Sequence, residues 1–513
     1  MKPHSVAAYP IFYLLIISAV VRALMAAVLS LGNDEAYYYT YALYPALSHF
    51  DHPPMVGWVI QLFSLNLHFS SEIFIRMAAV VAGTVNTWLM YCIGKQLSDE
   101  RTGWYAALLY TATIYGFVIV GVFILPDSPQ SVFWLSAILF LLKAFGREMD
   151  VKAKRWFFLA SVFIGLALLS KYTTAYLWLG MIIYILVYNR KWLATKVFYW
   201  AHLVIGLLFL PVIIWNAQNG FVSFLFHSGR VEPVIASLRL DYFFPEILGE
   251  ALYINPVVFV LVLIAVVAFF TGKFNNQKPQ VSLLIWSALP LICTFMFISL
   301  FRRTLPHWNS AGYMTLLPLT ALWLRNRSEV VWPALLKDAL VFILFLITFA
   351  TVQIFTGFIP FEKFVKEKEG KGTSDYSLEM YGWRQLWTKF TPLAAKYEKE
   401  GAMPLNAPIV SYRWFPAANY SYYAARGTGH YVLAAGDTSD IHKFVWINQL
   451  YGGFKLNSDA WYITSSRNFK DPKSMSAVTY EKIMPPDTIS VIRMGKTAYY
   501  FYVYRLKKLL SKQ

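Results

Sequence analysis

Long apolar runs separated by short charged loops constrain the fold of this chain more than any other feature. A helix needs about 20 apolar residues to cross a bilayer, and about 17 suffice for a short span. Of the residues, 58% are hydrophobic and only 14% are charged, whereas an ordinary soluble domain is about 25% charged. We therefore predict a polytopic α-helical membrane protein with about eleven transmembrane helices. The predicted spans centre near residues 9–31, 73–93, 103–123, 129–145, 156–170, 173–189, 197–215, 250–270, 281–301, 309–324 and 336–357. The two spans that meet at Lys171 could instead form one long kinked span, although the loop charges on both sides argue for two.

The distribution of lysine and arginine predicts the orientation of these spans. Basic residues concentrate in one set of loops, which includes the segment 143–155, and they are sparse in the other set. By the positive-inside rule the basic set faces the cytoplasm. The loop after the first span then faces the outside, and so does the chain after about residue 358. Because orientation accounts for much of the net charge of +17, we expect membrane lipids and no nucleic acid as partners.

The chain changes character after residue 357, where Lys, Glu, Gly, Asp and Ser become frequent. Segments typical of strands and helices alternate there, which predicts a small α/β domain outside the membrane. We therefore divide the chain into a transmembrane domain, 1–357, and an extracytoplasmic α/β domain, 358–513. The predicted strands are Ile409–Tyr412, Tyr431–Ala434, Trp461–Thr464, Thr488–Arg493 and Tyr499–Tyr504, with helices around 417–425 and 441–450.

The first external loop, 32–72, carries acids at the edge of the bilayer. Asp34 and Glu35 follow the first span closely, and the chain has no Lys or Arg between them and Arg76. Uncompensated acids at such a depth usually mark a polar pocket or a pathway. The same two acids also suit the first turn of a surface helix, where they complement the helix dipole. Further candidate cavity residues of this loop are Tyr37, Tyr38, Asp51 and His52.

Further polar groups lie at the outer ends of other predicted spans. They are Asp127, in a Pro-Asp-Ser-Pro turn, Lys171, between two spans, and the set Arg302, Arg303, His307 and Trp308. All of them can converge on one external cavity if the spans pack as a bundle. Each also has a plainer explanation: Asp127 suits a helix cap, Lys171 can snorkel to the interface, and the arginines can anchor there. The aromatic residues equally suit an interfacial belt.

This mixture of groups fits one chemistry well. A carboxylate can act as general base on an incoming hydroxyl or amine. Lysine and arginine can hold a phosphate and stabilise the charge that develops on a leaving group. Long apolar walls would accept a lipid tail. The residues therefore predict the transfer of a group from a lipid phosphate to an acceptor at the outer membrane face.

Several segments resemble those of a known family. Asn33–Tyr38 and Phe50–Met55 are similar to the first external loop of bacterial glycosyltransferases of the protein-mannosyltransferase and aminoarabinose-transferase type, within the glycosyltransferase C superfamily. Leu125–Pro129, Gly165–Tyr172 and Pro306–Trp308 resemble family segments in the same order. The resemblance covers essentially the whole membrane region. The Asp-Glu pair together with Phe-Asp-His-Pro-Pro is its most specific part.

The resemblance implies an enzyme that uses a polyprenyl-phosphate-linked sugar donor outside the cytoplasm and inverts the anomeric carbon. The acceptor would be a lipid such as lipid A, a glycan or a protein, and the location a bacterial inner membrane with the active site and C-terminal domain facing the periplasm. The implied catalytic positions are Asp34, Glu35 and Asp127, and the implied donor-phosphate positions are Lys171, Arg302, Arg303 and His307.

No cofactor follows from the sequence with certainty. Some members of the superfamily use a divalent cation and others do not. Asp34, Asp127 and His52 are the candidate ligands if a metal is bound, although their spacing does not demand one. Cys92 and Cys293 lie apart in apolar stretches, and we interpret them as buried hydrophobic residues.

Two other functions remain as alternatives. The first is a transporter or flippase of lipid-linked sugars, a class that tends to show internal repeats and acids near the bilayer midplane. This chain has no clear repeat, and its acids lie at span ends. The second is an inactive member of the family that acts as a membrane scaffold, against which the intact acidic pair argues.

Overall fold

Helices dominate the N-terminal two thirds of the protein. The structure is a computed structural model that describes residues 10–231, 238–274, 278–328, 330–364 and 370–512. Each predicted span coincides with at least one helix. The helices of this region are α1 Ile11–Val28, α2 Asn33–Leu43, α3 Met55–Phe63, α4 Glu72–Leu97, α5 Glu100–Ala112, α6 Asp127–Phe145, α7 Val151–Leu168, α8 Ala175–Tyr188, α9 Lys196–Gln218, α10 Val222–Val231, α11 Leu240–Ile254, α12 Pro256–Phe270, α13 Lys278–Ser299, α14 Ser310–Arg325 and α15 Ala334–Thr356.

Within the described ranges, six helices are long and apolar enough to cross a membrane. The bent pair α11 and α12 would make a seventh span if its two halves cross together. The remaining predicted spans fall on helices that are shorter or less apolar. The polytopic membrane character is therefore confirmed, while the count of about eleven spans stays a prediction. The six helices are α1, α4, α6, α9, α13 and α15.

Asn255 fixes the 102° bend between α11 and α12. Its backbone lies at φ +77°, and its side chain is fully buried. The side-chain Nδ2 donates to the carbonyls of Ala112 (3.0 Å) and Ala339 (2.8 Å), and Oδ1 accepts from the Val257 amide (3.1 Å). Asparagine tolerates positive φ better than most residues. The bend is thus held by one amide that bonds three backbone groups.

Contacts divide the chain into two compact units, which are discontinuous in sequence. The helical unit comprises Met1–Ala27 and Ala46–Phe345, and the C-terminal unit comprises Val28–Pro45 and Leu346–Gln513. Helix α2, from the first external loop, therefore belongs to the C-terminal unit. In the helical unit, large buried residues such as Trp104 and Trp134 form the core, and the Trp134 indole donates to the Thr315 hydroxyl at 2.7 Å.

The C-terminal unit is built around a mixed sheet in the order β2-β1-β3-β6-β4, with β5 also paired to β6. Strands β1, β2 and β3 run parallel, and β6 runs antiparallel to its partners. The predicted α/β domain is therefore confirmed. Its helices are α16 Trp383–Lys399, α17 Trp414–Tyr420, α18 Thr438–Ile441 and α19 Phe444–Leu450, and its strands are β1 Ile409–Ser411, β2 Val432–Ala434, β3 Ala460–Ser465, β4 Val478–Ile483, β5 Asp487–Arg493 and β6 Lys496–Lys512.

Two elements of this unit were not predicted from the sequence. Strand β4 was missed because its short Val-Thr-Tyr-Glu-Lys-Ile segment is half charged or polar. Helix α16 was missed although its buried residues Trp383, Leu386, Phe390 and Ala394 follow the three-to-four spacing of an amphipathic helix.

Candidate active site

A buried ion pair lies at the centre of the polar residues of the helical unit. Lys171 Nζ contacts Oδ1 and Oδ2 of Asp127 at 2.9 and 2.8 Å, and the Tyr115 hydroxyl donates to Oδ1 at 3.0 Å. The residues Asp127 and Lys171 are 3% and 6% exposed. Neither of the plainer explanations holds, because Asp127 makes no side-chain cap bond and Lys171 points into the protein instead of snorkelling.

Local hydrogen bonds fix the two segments that carry this pair. Asp127 is the first residue of α6, and the turn before it is closed by Ser128, whose hydroxyl donates to the Phe123 carbonyl at 2.9 Å. Lys171 lies in the connection between α7 and α8. The Gln130 amide of α6 donates to the hydroxyls of Thr173 and Thr174 in that connection, at 2.9 Å each. The ends of three helices are therefore joined by polar contacts.

Two imidazoles lie close enough to the pair to be affected by its charges. Burial lowers the pKa of His52 to about 3, His227 and Lys171 lower it further, and the carboxylates of Asp51 and Asp127 oppose the shift. Burial likewise lowers the pKa of His307 to about 4, with Lys171 lowering it further and Asp127 opposing the shift. Both rings are therefore neutral at pH 7, and each can donate one hydrogen bond and accept another. We call Asp127, Lys171, Tyr115, His52 and His307 the polar cluster.

The loop that carries His52 is held by α10. The His227 Nε2 atom lies 2.5 Å from the Asp51 carbonyl, and the Ser223 hydroxyl donates to the His49 carbonyl at 2.8 Å. The rings of His52 and His227 are 5.8 Å apart. Burial also lowers the pKa of His227. Helix α10 therefore fixes the backbone on which Asp51 and His52 stand.

The two predicted arginines have different surroundings. Arg302 donates to the Gly229 carbonyl at 2.6 Å, which ties its loop to α10. Arg303 is exposed and lines a cavity beside α11. Trp308 packs against Phe295, with ring centroids 5.6 Å apart, and lies 5.8 Å from the guanidinium of Arg230. Of the two arginines, Arg303 is thus the one whose surroundings leave room for a phosphate.

In the C-terminal unit, Asp34 and Glu35 occupy the first turn of α2. Asp34 is exposed, whereas Glu35 is only 2% exposed. The Glu35 carboxylate accepts from the Gly32 amide at 2.9 Å, in the manner of a capping box. Glu35 therefore stabilises the start of its own helix, while the Asp34 side chain faces outward.

The rest of the C-terminal unit anchors α2 at both ends. Near its start, the Leu31 amide donates to the Tyr423 hydroxyl at 2.7 Å, and the Asn419 amide donates to Asn33 Oδ1 at 2.8 Å. Near its end, Lys443 Nζ donates to the carbonyls of Thr40 (2.9 Å) and Tyr44 (2.6 Å). These contacts fix the turn from which Asp34 projects.

Tyr37 and Tyr38 are packing residues of the C-terminal unit. They are 2% and 6% exposed, and the Tyr37 ring lies 5.1 Å from that of Trp414. The rings also contact each other at 5.7 Å. Because their faces are covered by protein, these positions attach α2 to the sheet domain.

The structure brings together only part of the predicted site. Asp127, Lys171, His52 and His307 form one cluster in the helical unit, whereas Asp34 stands in the C-terminal unit. The convergence of all predicted groups on one cavity therefore stays a prediction. Among the described residues, no group of three or more His, Cys, Asp or Glu side chains is arranged to hold a metal ion.

Sequence reasoning missed several functional candidates, namely Tyr115, His227, Glu246 and Glu250. The sequence does not mark Tyr115 or His227 as functional, since single tyrosines and histidines are common in apolar helices and in helices of loops. Glu246 and Glu250 did give one, because two acids one turn apart in the apolar helix α11 are costly unless they have partners or a function.

The chain is similar to a known protein family and to solved structures of other proteins. Residues 51–215, about a third of the chain, match the family model described as dolichyl-phosphate-mannose-protein mannosyltransferase. No curated protein matches the chain in a sequence comparison. The apo structure of ArnT from Cupriavidus metallidurans has a TM-score of 0.62 at 13% identity, and the match covers 96% of this chain and 97% of that one. The structure of the same protein bound to undecaprenyl phosphate gives 0.60 at 14% identity, covering 97% and 98%.

At this identity, the likeness to ArnT shows the fold. It confirms the predicted fold, in which a helical membrane region precedes a C-terminal domain. The family match within the helical unit includes Asp127 and Lys171. None of these comparisons favours the transporter alternative.

Proposed function

We propose that this chain, which has the glycosyltransferase C fold, is a membrane glycosyltransferase that moves a sugar from a polyprenyl-phosphate-linked donor to a lipid, glycan or protein acceptor. The observation that carries the proposal is the polar cluster. This cluster combines a buried cation, its carboxylate partner and two neutral imidazoles. All of these groups except His307 lie in the segment that matches the mannosyltransferase family model, and His307 lies in the loop before α14.

The reaction we propose is a single displacement with inversion. The acceptor oxygen or nitrogen loses its proton to a carboxylate and bonds to the anomeric carbon of the sugar. The bond between this carbon and the phosphate oxygen breaks, and its electron pair leaves with the polyprenyl phosphate. The protein has to accept one proton and to stabilise the negative charge that grows on the phosphate.

We assign the base to Asp34 and the phosphate to the groups of the helical unit. Asp34 is exposed on an anchored helix and is therefore accessible to an acceptor. Lys171 uses two of its three N–H donors on Asp127, and the third is suited to a phosphate oxygen. His307 and Arg303 are the further phosphate candidates. Asp127 is a positioning residue in this scheme, because it orients Lys171.

We also propose a bacterial inner membrane as the location, with the active site and the C-terminal domain facing the periplasm. The supporting observation is the excess of Lys and Arg in the loops opposite to that of Asp34. The structure of ArnT with undecaprenyl phosphate supports a polyprenyl phosphate as the donor carrier here. The family description supports mannose as the first sugar to test.

The test is a transfer assay with the purified protein in liposomes that contain mannosyl phosphopolyprenol. Mass spectrometry of lipid and protein acceptors should detect a new glycoside together with released polyprenyl phosphate. The Asp34→Asn variant should insert normally and form product about 10²–10⁴-fold more slowly. Movement of the donor across the bilayer without any glycoside, or full activity of Asp34→Asn, would contradict the proposal.

A further inference from the structure

A cavity of about 350 Å³ opens in the helical unit beside the start of α11. This volume lies within the usual range for small-molecule sites. Its lining includes Asp241, Tyr242 and Glu246 from α11 together with Arg303 and Thr304 from the loop before α14. The cavity therefore combines a carboxyl, a hydroxyl, an aromatic ring and a cation.

Two buried polar atoms in this lining lack a hydrogen bond of normal geometry to any described residue. They are Glu246 Oε1 and Thr304 Oγ1, which interact with each other and belong to residues that are only 3% and 5% exposed. A buried polar atom without a partner costs about 1–3 kcal/mol, so natural proteins rarely leave one unless a ligand or water satisfies it. The cavity beside them is where such a ligand would stand.

The neighbouring acid on α11, Glu250, differs from Glu246 in its hydrogen bonding. Glu250, one helical turn further along α11, is 1% exposed and accepts hydrogen bonds from the Tyr313 hydroxyl (2.6 Å) and from the Asn309 amide. The protein thus gives Glu250 two hydrogen bonds, whereas Glu246 interacts only with the Thr304 hydroxyl beside it and lines the cavity. The difference between two acids on one face of one helix indicates a role for Glu246 outside packing.

The charges around the cavity restrict the ligand further. Asp241 is occupied, because Arg239 binds both of its oxygens at 2.9 and 2.7 Å. Within the part of the chain that the structure describes, no acid pairs with the exposed Arg303. A fitting ligand therefore carries hydrogen-bond donors for Glu246 and an anionic group for Arg303.

The packing of α11 against the loop before α14 holds Glu246 and Arg303 at the same cavity. A side chain at Gly249 would clash with the ring of Pro306, so the helix and the loop approach each other closely at this point. Glu246 lies almost one turn before Gly249, and Arg303 and Thr304 lie just before Pro306. The carboxyl and the guanidinium are therefore held on opposing elements of one preformed cavity.

We infer that this cavity is a glycosyl-phosphate subsite, in which Glu246 accepts hydrogen bonds from hydroxyl or ammonium groups of the sugar and Arg303 binds the phosphate. The inference rests on the proposed function and assigns part of its donor recognition. Tyr242, at the cavity wall, offers an aromatic face for the apolar side of a sugar ring. Glu246 then contributes to discrimination between the loaded and the spent lipid carrier.

The experiment measures the affinity of the protein in nanodiscs for two probes, polyprenyl phosphate and mannosyl phosphopolyprenol. Glu246→Leu should weaken binding of the mannosylated probe about tenfold, since it removes hydrogen bonds to the sugar, and leave the bare probe almost unchanged. Arg303→Gln should weaken binding of both probes. Glu148→Leu, at an exposed acid that is not among the cavity-lining residues, is the matched control and should change neither affinity.

Equal affinity of Glu246→Leu and the parent protein for the mannosylated probe would overturn the inference, as would an equal loss for both probes. If Glu246→Leu does not fold, the isosteric Glu246→Gln replaces it, with the same selective loss expected at smaller size. A parent protein that binds neither probe would instead count against the proposed function itself.

Discussion

The ammonium group of Lys171 lies 2.9 and 2.8 Å from the two carboxylate oxygens of Asp127, although 44 positions separate these residues in the chain. Both side chains are buried, and Tyr115 donates a further hydrogen bond to the same carboxylate. Neither charge is therefore available alone. A change in one of the two residues therefore also affects the other, and the two must be tested together.

Removal of one member of the pair should destabilise the protein more than removal of both. Lys171→Met leaves the Asp127 carboxylate buried without its counter-charge, and breaking a buried pair in this way costs about 3–5 kcal/mol. The double variant Asp127→Asn/Lys171→Met buries no charge and should recover part of the loss. Thermal unfolding of the detergent-purified proteins measures both effects in one double-mutant cycle.

The Lys95–Glu100 pair is the matched control, since its side chains are about half exposed at a similar N–O distance of 2.8 Å. Lys95→Met should leave the melting temperature almost unchanged. Additive effects of the two single changes in the buried pair would show that Asp127 and Lys171 are not coupled.

Asp34 and Glu35 should separate into a functional and a structural role. Asp34→Asn should lower the transfer rate by about 10²–10⁴-fold, the usual worth of a general base, without a change in melting temperature, because its side chain is exposed. Glu35→Gln should keep both properties, since glutamine also serves in a capping box. Glu35→Ala should lower stability by about 1 kcal/mol.

For each variant, the experiment measures the initial rate of glycoside formation and the melting temperature. If Glu35→Gln lost activity as fully as Asp34→Asn, the carboxylate of Glu35 would have a chemical role and the separation would be wrong. If Asp34→Asn melted at a lower temperature, its loss of activity would be structural.

The sequence predicted what depends on local composition. The apolar runs predicted the helices that coincide with the eleven spans, because the cost of placing polar residues in a bilayer acts on each segment separately. The pairing of Asp127 with Lys171 depends on how α6 packs beside the end of α7, which no local pattern encodes. The tyrosines of α2 matched an interfacial belt, yet the structure buries Tyr37 and Tyr38 in the C-terminal unit.

Acidification should destabilise the fold through His52 and His307. Burial lowers their pKa values to about 3 and about 4, whereas an unfolded histidine has a pKa of about 6.5. Between pH 6.5 and 4 the unfolded state therefore binds protons that the folded state does not, and the free energy of unfolding falls as the pH drops. Above pH 6.5 neither state is protonated at these rings, so stability should not depend on them.

Melting temperatures from pH 7.5 to pH 4.5 measure this dependence. The double variant His52→Gln/His307→Gln should show a shallower decline than the parent protein, whereas His68→Gln, at an exposed position, should follow the parent curve. Parallel curves for the parent and the double variant would mean that these two rings do not carry the pH dependence.

Lys443 should control the order of the helix that carries Asp34. Its buried ammonium donates to the carbonyls of Thr40 and Tyr44 at the end of α2 and lies 4.6 Å from the Tyr41 ring. The Thr40 carbonyl also accepts from the Tyr44 amide at 2.9 Å, so Lys443→Met would remove the donor mainly from the Tyr44 carbonyl, and an unsatisfied buried acceptor costs about 1–3 kcal/mol. Hydrogen exchange should then accelerate in α2 and the transfer rate should fall, while the exposed control Lys455→Met changes neither. If α2 exchanged at the parent rate but activity was lost, Lys443 would act on the substrate and not on the helix.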